Sequence, residues 1–145
     1  MFFGKQKITV SEHNQISLPG RFERLGGGDV FLTRGFDHNL MLMLKDSFET
    51  LVERLQEMSL SDPLARQLNR LLLAGAVESK VDMDGRLELP DELAGYASLE
   101  KEIILVGQGE YLELWAPELW ENQVKVINEK LENGHSFEKF NICLD

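Results

Sequence analysis

The segment Val81-Asp-Met-Asp-Gly-Arg-Leu-Glu-Leu-Pro90 decides the fold, because a second version of it occurs 71 positions earlier as Val10-Ser-Glu-His-Asn-Gln-Ile-Ser-Leu-Pro19. A further match follows at an offset of 72, where Gly35 corresponds to Gly107. Internal repetition at one period indicates a structural unit that has been duplicated. The sequence therefore predicts one small β-rich unit that occurs twice.

The size of each copy predicts how the two copies are related. The chain has 145 residues, which fits one ordinary domain or two half-size units. A unit of roughly 45 to 50 residues struggles to bury enough apolar surface alone, so we expect the copies to complete one core. We assign repeat 1 to residues 5-48, a helical linker to 49-76, repeat 2 to 77-120 and a C-terminal helix and tail to 121-145.

Polar–apolar alternation and turn residues predict four strands in each copy. The predicted strands are 5–11, 16–18, 30–33 and 40–43 in the first copy, and 76–81, 87–89, 103–106 and 111–115 in the second. We predict helices from about 46 to 58, 63 to 75, 91 to 96 and 117 to 133, and a helical turn over 21–25. Helical spacing predicts two core-facing stripes, formed by Leu64, Leu68, Leu71 and Leu72 and by Leu119, Trp120, Val124, Ile127 and Leu131.

The residues that usually carry catalysis or bind metals form no recognisable set. Cys143 is the single cysteine, so the sequence predicts neither a disulfide framework nor a zinc cluster. The three histidines lack metal-ligand spacing, and no Ser/His/Asp set is in register. The triple glycine at 26–28 lacks the Gly-Lys-Ser/Thr ending of a phosphate-binding loop. We therefore expect no enzymatic activity, no cofactor and no small-molecule substrate.

The hydropathy pattern predicts a cytoplasmic protein without a membrane partner. The longest apolar run is Leu71–Val77, which is far shorter than the roughly 18 residues of a membrane-spanning helix. No signal-peptide pattern is present at the start of the sequence.

Charge is unevenly distributed along the chain. The formal net charge is -10, and residues 81–145, with five Lys/Arg and fifteen Asp/Glu, carry an excess of that size. Residues 1–48 hold six Lys/Arg and five Asp/Glu. An acidic total argues against indiscriminate nucleic-acid binding but leaves room for a local basic face.

The Asp82-Met-Asp84-Gly85 segment also suggests a phosphatase, which we weighed as an alternative. It resembles the Asp-x-Asp-Gly motif of haloacid-dehalogenase-type phosphatases, in which one Asp is a nucleophile and both hold magnesium. That motif ends a long buried strand and continues with Thr, whereas here the preceding segment is only partly apolar and Arg86 follows. We therefore rank this reading last.

Several motifs, in order and spacing, resemble the MraZ family of tandem SpoVT/AbrB-type domains. The resemblance runs through roughly residues 1–130 and rests on six segments, the first of which is Met1-Phe-Phe-Gly4. The other five follow in chain order. They are Thr33-Arg-Gly-Phe-Asp37, Leu68-Asn-Arg-Leu-Leu-Leu-Ala-Gly-Ala76, Asp82-Met-Asp-Gly-Arg-Leu-Glu-Leu-Pro90, Lys101-Glu-Ile-Ile-Leu-Val-Gly-Gln108 and Leu112-Glu-Leu-Trp115.

This resemblance implies both a fold and a function. The implied fold is α+β, with two tandem AbrB-like swapped-hairpin units forming one pseudo-symmetric barrel, plus connecting and C-terminal helices. The implied function is a sequence-specific, nucleoid-associated transcriptional regulator of the division and cell-wall gene cluster. Its partners would be double-stranded DNA, read as repeated promoter boxes, and further copies of itself in a ring-shaped homo-oligomer.

The family's Asp-x-x-Gly-Arg pattern is present only in the second copy, as Asp82, Gly85 and Arg86. The first copy has Ser11, Asn14 and Gln15 in these columns. Asn14 and Gly85 both tolerate positive φ, so we expect them to support the same turn. Two roles are open for Asp82 and Arg86. The pair can hold the hairpin together, and Arg86 can contact DNA; the two roles do not exclude each other. Gln15 cannot supply a charge to a phosphate or a charged fork to guanine.

Five further cations complete the candidate DNA-binding set, because phosphate contacts by Lys and Arg supply most non-specific affinity. They are Lys5, Lys7, Arg21, Arg24 and Lys80. We expect the two copies to contact DNA differently. The first copy would make non-specific contacts to the DNA backbone, and the contact of the second would be centred on Arg86. The alternative is an oligomeric protein-interaction or structural ring whose DNA binding has weakened.

Overall fold

The computed structural model of the chain describes residues 1–20, 22, 28–134 and 140. Within these ranges the predicted α+β class is confirmed. The strands are β1 (Lys5–Thr9), β2 (Gln15–Ser17), β3 (Asp29–Arg34), β4 (Leu40–Leu44), β5 (Val77–Lys80), β6 (Arg86–Glu88), β7 (Glu102–Gly107) and β8 (Tyr111–Trp115). The helices are α1 (Lys45–Gln56), α2 (Pro63–Asn69), α3 (Asp91–Tyr96) and α4 (Pro117–Glu132), and a π-helical turn, Arg70–Ala74, continues α2.

The order of the strands reads the same from both edges of the sheet once each strand is exchanged for its counterpart in the other copy. Six strands form one antiparallel sheet in the order β1-β7-β8-β4-β3-β5, and β2 and β6 form a separate two-stranded ladder. The first strand of each copy pairs with the other copy: β1 with β7, and β5 with β3. The two halves of the chain therefore share one sheet.

The closed barrel that the resemblance implied is not formed by strand pairing in the described residues. β1 and β5 are the two edges of the six-stranded sheet and do not pair with each other. The reason is the sharp turn that follows each of them. After those turns the chain leaves the sheet, and β2 and β6 pair with one another instead of extending the edges.

One face of the six-stranded sheet forms the main core. Side chains that alternate along the four inner strands are fully buried on this face; they are Val30, Leu32, Leu40, Leu42, Ile103, Leu105, Leu112 and Leu114. Ile16 of β2, Leu87 of β6 and Leu93 of α3 pack against them. Because both copies contribute to this single cluster, neither copy has a separate core, as the size argument predicted.

The opposite face of the sheet is covered by helices. The Phe31 ring of β3 stacks on Phe48 of α1, with ring centroids 4.1 Å apart. Trp115 of β8 meets Trp120 of α4 edge to face at 5.7 Å. Among the described helices, none is both long enough and apolar enough to cross a membrane.

The predicted leucine stripe of the second helix is wrong in part. Ala65 and Leu72 are buried, but Leu64 is 71% exposed. The reason is that the buried stripe is centred one residue later than predicted. Ala65 and Leu72 lie seven positions apart, which is two helical turns, and Leu64 falls at the edge of this stripe in the first turn of α2.

The predicted inward face of α4 holds only for its first half. Leu119, Trp120 and Val124 are half-buried, whereas Ile127 and Leu131 are exposed. A helix of 16 residues is about 24 Å long, and α4 packs on β7 near the edge of the sheet, so its second half extends beyond the strands.

One half-buried carboxylate links the two copies on the helical face. Glu113 of β8 accepts hydrogen bonds from Asn39 Nδ2 at 2.9 Å and from Trp115 Nε1 at 3.1 Å. Burial raises the pKa of Glu113 above its ordinary value, and the nearby Asp37 adds to the rise, while the two hydrogen bonds act against it. The folded state therefore holds a proton on Glu113 more tightly than the unfolded chain does.

This difference predicts a pH dependence of stability that Glu113→Gln removes. As pH falls from neutral through the raised folded pKa toward the ordinary value of 4.5, the wild type gains unfolding free energy from proton uptake. The glutamine variant cannot take up this proton. We expect the difference in unfolding free energy, wild type minus variant, to rise as pH is lowered, measured by urea unfolding at several pH values. A difference that is constant or falls would contradict the burial effect.

Candidate nucleic-acid interface

The β2–β6 ladder presents one apolar and one polar face. Gln15 pairs with Glu88, Ile16 with Leu87 and Ser17 with Arg86. Ile16 and Leu87 point into the core and are fully buried, so their neighbours along each strand point outward. We call this outward surface the ribbon face; its four exposed residues are Gln15, Ser17, Arg86 and Glu88.

The turn that leads into β6 is held by Asp82. One carboxylate oxygen, Oδ1, accepts hydrogen bonds from the backbone N–H of Asp84 and of Arg86, each at 2.9 Å. Backbone bonds close the same turn, from Asp82 N to Arg86 O at 3.0 Å and from Gly85 N to Asp82 O at 3.0 Å. Asp82 therefore fastens the hairpin through amide groups, as Asp side chains commonly do in turns.

The turn that leads into β2 uses Ser11 in the same way. Its hydroxyl accepts from His13 N at 3.3 Å and from Gln15 N at 3.1 Å, and Ser11 N donates to Gln15 O at 2.8 Å. The sequence reasoning recognised that Ser11 can still form hydrogen bonds, but it did not predict that Ser11 takes the place of Asp82 in the turn. The available signal was that Ser hydroxyls cap turns as Asp carboxylates do, only more weakly.

The backbone of the two turns is alike, as predicted for Asn14 and Gly85. Asn14 has φ of 56° and Gly85 has φ of 76°, so both adopt the left-handed region. A Cβ on residue 85 would also lie 3.3 Å from Leu18 O, which favours glycine there.

Each turn is tied to the other copy by one backbone hydrogen bond. Leu18 N donates to Gly85 O at 2.8 Å, and Leu89 N donates to Asn14 O at 2.8 Å. These two bonds are counterparts under the duplication, because the two donors, Leu18 and Leu89, and the two acceptors, Asn14 and Gly85, are each 71 positions apart. They fix the position of each turn relative to the strand of the other copy.

The structure separates the two roles that were open for Asp82 and Arg86. The Asp82 carboxylate is occupied by turn amides. The guanidinium of Arg86 is exposed and has neither an ion pair nor a hydrogen bond with any residue that the structure describes. Asp82 thus orients the backbone of Arg86 and leaves its charge available to a ligand.

Lys5 and Lys7 lie elsewhere, on β1 beside helix α4. Lys7 Nζ forms an ion pair with Glu102 at 2.8 Å, and the pKa of Lys7 is raised by this hydrogen bond and charge, with a smaller rise from Glu121. Lys5 Nζ lies 6.0 Å from the centroid of the Trp120 ring. Both lysines belong to the edge of the large sheet, whereas Arg86 belongs to the small ladder.

The remaining predicted cations divide into one that the structure describes and two that it does not. Lys80, the last residue of β5, is 84% exposed at its side chain, and its Nζ lies 3.9 Å from Asp29. It precedes the Asp82 turn by two residues. Arg21 and Arg24, with most of the helical turn predicted over 21–25, lie outside the described residues.

An exposed apolar side chain stands at the tip of the second turn. Met83 is 92% exposed, and its counterpart in the first turn is Glu12. Our sequence reasoning did not select Met83. The sequence signal for its exposure is that Met83 lies between Asp82 and Asp84 in a predicted turn.

The described residues contain no group of three or more His, Cys, Asp or Glu side chains placed to hold a metal ion. The Asp82–Asp84 segment, which suggested a phosphatase, is part of an exposed hairpin turn. It does not end a buried strand, as that motif requires.

Comparison with known proteins gives a family match over both copies. The model described as "MraZ protein, putative antitoxin-like" matches residues 1–71 and again 72–138. A protein of Thermomicrobium roseum named transcriptional regulator MraZ is 39% identical over 127 residues, covering 88% of this chain and 89% of that protein. Proteins of the same name from Carboxydothermus hydrogenoformans and Caldanaerobacter subterraneus are 34% and 32% identical, covering 84% and 98% of this chain and 85% and 100% of those proteins.

The shared turn geometry predicts that Asp82 can be exchanged for the residue of the first copy. Asp82→Ala removes the acceptor of two amide hydrogen bonds and should cost about 1 kcal/mol of unfolding free energy, in the range of helix-cap losses. Asp82→Ser should recover most of that loss, because Ser11 makes the same bonds. Asp84→Ala, a matched control at a carboxylate without such bonds, should change stability by less than about 0.5 kcal/mol. Equal losses for Ala and Ser at position 82 in urea unfolding would contradict this equivalence.

Proposed function

The chain belongs to the MraZ family, and from that premise we propose that it is a sequence-specific DNA-binding transcriptional regulator. The relatives that match most of its length carry the name transcriptional regulator. Two tandem AbrB-like units with exchanged first strands, within the repeat bounds 5-48 and 77-120, are part of the proposal. The pseudo-twofold symmetry of the strand order in the six-stranded sheet supports this arrangement of the two units.

The observation that carries this proposal is the exposed Arg86 guanidinium on the ribbon face, which has no ion pair or hydrogen bond among the described residues. The major groove of DNA admits a two-stranded β-ribbon, and the commonest specific contact there is Arg to O6 and N7 of guanine. The Asp82 turn and the cross-copy bond to Leu18 fix the backbone from which Arg86 projects. The backbone is therefore ordered before binding, and only the Arg86 side chain has to be ordered when the contact forms.

The net negative charge of the chain favours DNA recognition by several copies of the protein at once. Within residues 80–88, Lys80 and Arg86 stand against three carboxylates, those of Asp82, Asp84 and Glu88. A single chain with this balance gains little from general attraction to phosphates. Linked copies raise the affinity by effective concentration, provided that the sites repeat along the DNA. This supports a ring-shaped homo-oligomer on repeated promoter boxes.

Exposed apolar residues offer contact surfaces for such an assembly. Leu64 of α2 and Ile127 and Leu131 of α4 are 71%, 46% and 57% exposed. Ile127 and Leu131 lie four positions apart on one face of α4, so they are neighbours, and contiguous exposed apolar surface is what marks protein–protein contacts. The control of the division and cell-wall gene cluster, and a place in the cytoplasm at the nucleoid, are carried into the proposal by the family resemblance.

Lys5, Lys7, Arg21, Arg24 and Lys80 enter the proposal as phosphate contacts. Lys80 is the strongest of the described members, because it is highly exposed and stands next to the Asp82 turn. Lys7 is the weakest, because its charge is matched by Glu102 at 2.8 Å.

A second candidate function is a protein-interaction ring with weakened DNA binding. Gln15 in place of arginine and the net charge of -10 favour it. Under this alternative Gln15→Arg raises DNA affinity sharply, because it restores a missing charge to an intact turn. If Gln15→Arg leaves DNA affinity unchanged, or changes only which DNA sequence is preferred, the transcriptional regulator is favoured instead.

Binding of a promoter fragment with repeated boxes tests the proposed function. Arg86→Ala should raise the dissociation constant roughly five- to 150-fold, the size of one lost bidentate base contact. Arg54→Ala, at an exposed arginine of α1, is the matched control and should bind as the wild type does. Fluorescence anisotropy over a series of salt concentrations provides the measurement.

The salt series separates base contacts from phosphate contacts. Loss of a guanine contact lowers affinity with little change in the slope of log K against log salt, whereas loss of a phosphate contact lowers the slope by about one. Equal binding by wild type and Arg86→Ala would contradict the assignment of Arg86. Wild-type binding that does not depend on salt would contradict the phosphate contacts assigned to the lysines and the other arginines.

A further inference from the structure

The first copy retains the geometry of the DNA-contacting turn although it lacks the arginine. Ser11 makes the amide bonds that Asp82 makes, Asn14 adopts the φ of Gly85, and Asn14 O and Gly85 O accept counterpart bonds from the opposite copy. The backbone at position 15 is therefore held in the same way as the backbone at position 86. The residue that it presents at the position of Arg86 is Gln15.

Gln15 and Arg86 occupy the same surface at short range. Both belong to the ribbon face, where Gln15 pairs with Glu88 and Arg86 with Ser17. The two are therefore diagonal neighbours across one antiparallel pair, separated by roughly 7 to 8 Å between Cα atoms. Bases along one strand are about 3.4 Å apart, so this distance corresponds to about two base steps.

The side chain of Gln15 is available for recognition. Gln15 is exposed, and its backbone N–H is bonded to Ser11 at 3.1 Å, which fixes where the side chain begins. Within the described part of the chain its carboxamide has no hydrogen-bond partner. A carboxamide presents one donor and one acceptor side by side, which matches N7 and N6–H₂ of adenine in the major groove.

We propose that Gln15 reads an adenine within about two base steps of the guanine that Arg86 reads. This inference rests on the proposed function and sharpens it. The replacement in the first copy changes the base that is recognised, and does not abolish the contact. The two turns thus form one surface that recognises an adenine and a guanine. The first copy then contributes to sequence specificity, beyond non-specific contacts to DNA phosphates.

Base analogues test this without knowledge of the box sequence. A promoter fragment made by PCR with 7-deaza-dATP in place of dATP lacks every adenine N7 but keeps Watson–Crick pairing. A second fragment made with 7-deaza-dGTP lacks every guanine N7. We expect the wild type to bind the first analogue roughly fivefold or more weakly than unmodified DNA, the lower range for loss of such a contact.

Variants assign the loss to a residue. Gln15→Ala should bind the 7-deaza-dATP fragment within about twofold of unmodified DNA, while Arg86→Ala should keep the sensitivity to 7-deaza-dATP and lose that to 7-deaza-dGTP. Gln15→Arg should exchange adenine sensitivity for added guanine sensitivity. Gln56→Ala, at an exposed glutamine of α1, is the matched control and should respond as the wild type does.

The outcomes separate this inference from the proposed function. No binding of unmodified DNA by the wild type would overturn both. Binding with sensitivity to 7-deaza-dGTP alone, or adenine sensitivity that survives in Gln15→Ala, would overturn the role of Gln15 and leave the regulator intact. A sharp gain in affinity for Gln15→Arg on every fragment would also overturn it, because that result identifies a missing charge.

Discussion

Two backbone hydrogen bonds hold the arrangement on which the rest of the molecule depends. Leu18 N donates to Gly85 O and Leu89 N to Asn14 O, each at 2.8 Å. Both acceptors belong to residues with positive φ, so the bonds form only where Asn or Gly supplies that conformation at low cost. Leu18 directly follows β2 and Leu89 directly follows β6, so each bond joins a turn of one copy to the end of a ladder strand in the other, and the position of the ribbon face depends on both bonds.

The backbone interlock is nearly symmetric, whereas the side chains that it presents are not. Arg86 offers a charged fork, and Gln15 at the matching position offers a neutral carboxamide. A duplicated scaffold can diverge in this way because the turn is held by Ser11 and Asp82 through amides, independently of the residue that follows. Stability and recognition are thus carried by different side chains of the same five-residue turn.

Much of the fold could be predicted because it depends on local pattern. Alternation, turn residues and the internal repeat gave the strands to within a few residues, and the positive φ at Asn14 and Gly85 followed from residue type. The leucine stripe was wrong at Leu64 because leucine is apolar wherever it lies on a helix, and tertiary packing placed the smaller Ala65 against the core instead. The prediction of a closed barrel was wrong because sharp turns after β1 and β5 lead the chain out of the large sheet, where β2 pairs with β6. Local sequence pattern does not show how sharply the chain turns at these points. For the site, the turn bonds of Ser11 could have been predicted, because a Ser hydroxyl accepts turn amides as an Asp carboxylate does. The pairing of Lys7 with Glu102 could not, because it depends on the register between β1 and β7.

Amide hydrogen exchange at Leu18 and Leu89 tests the central claim most directly, because these two N–H groups make the cross-copy bonds. If both turns are held equally, the two amides exchange with protection within about tenfold of each other and near that of the buried sheet strands. Protection of Leu18 with exchange of Leu89 at the rate of an exposed loop amide would contradict the account. It would mean that the first turn is not held in place and that Gln15 has no fixed position beside Arg86.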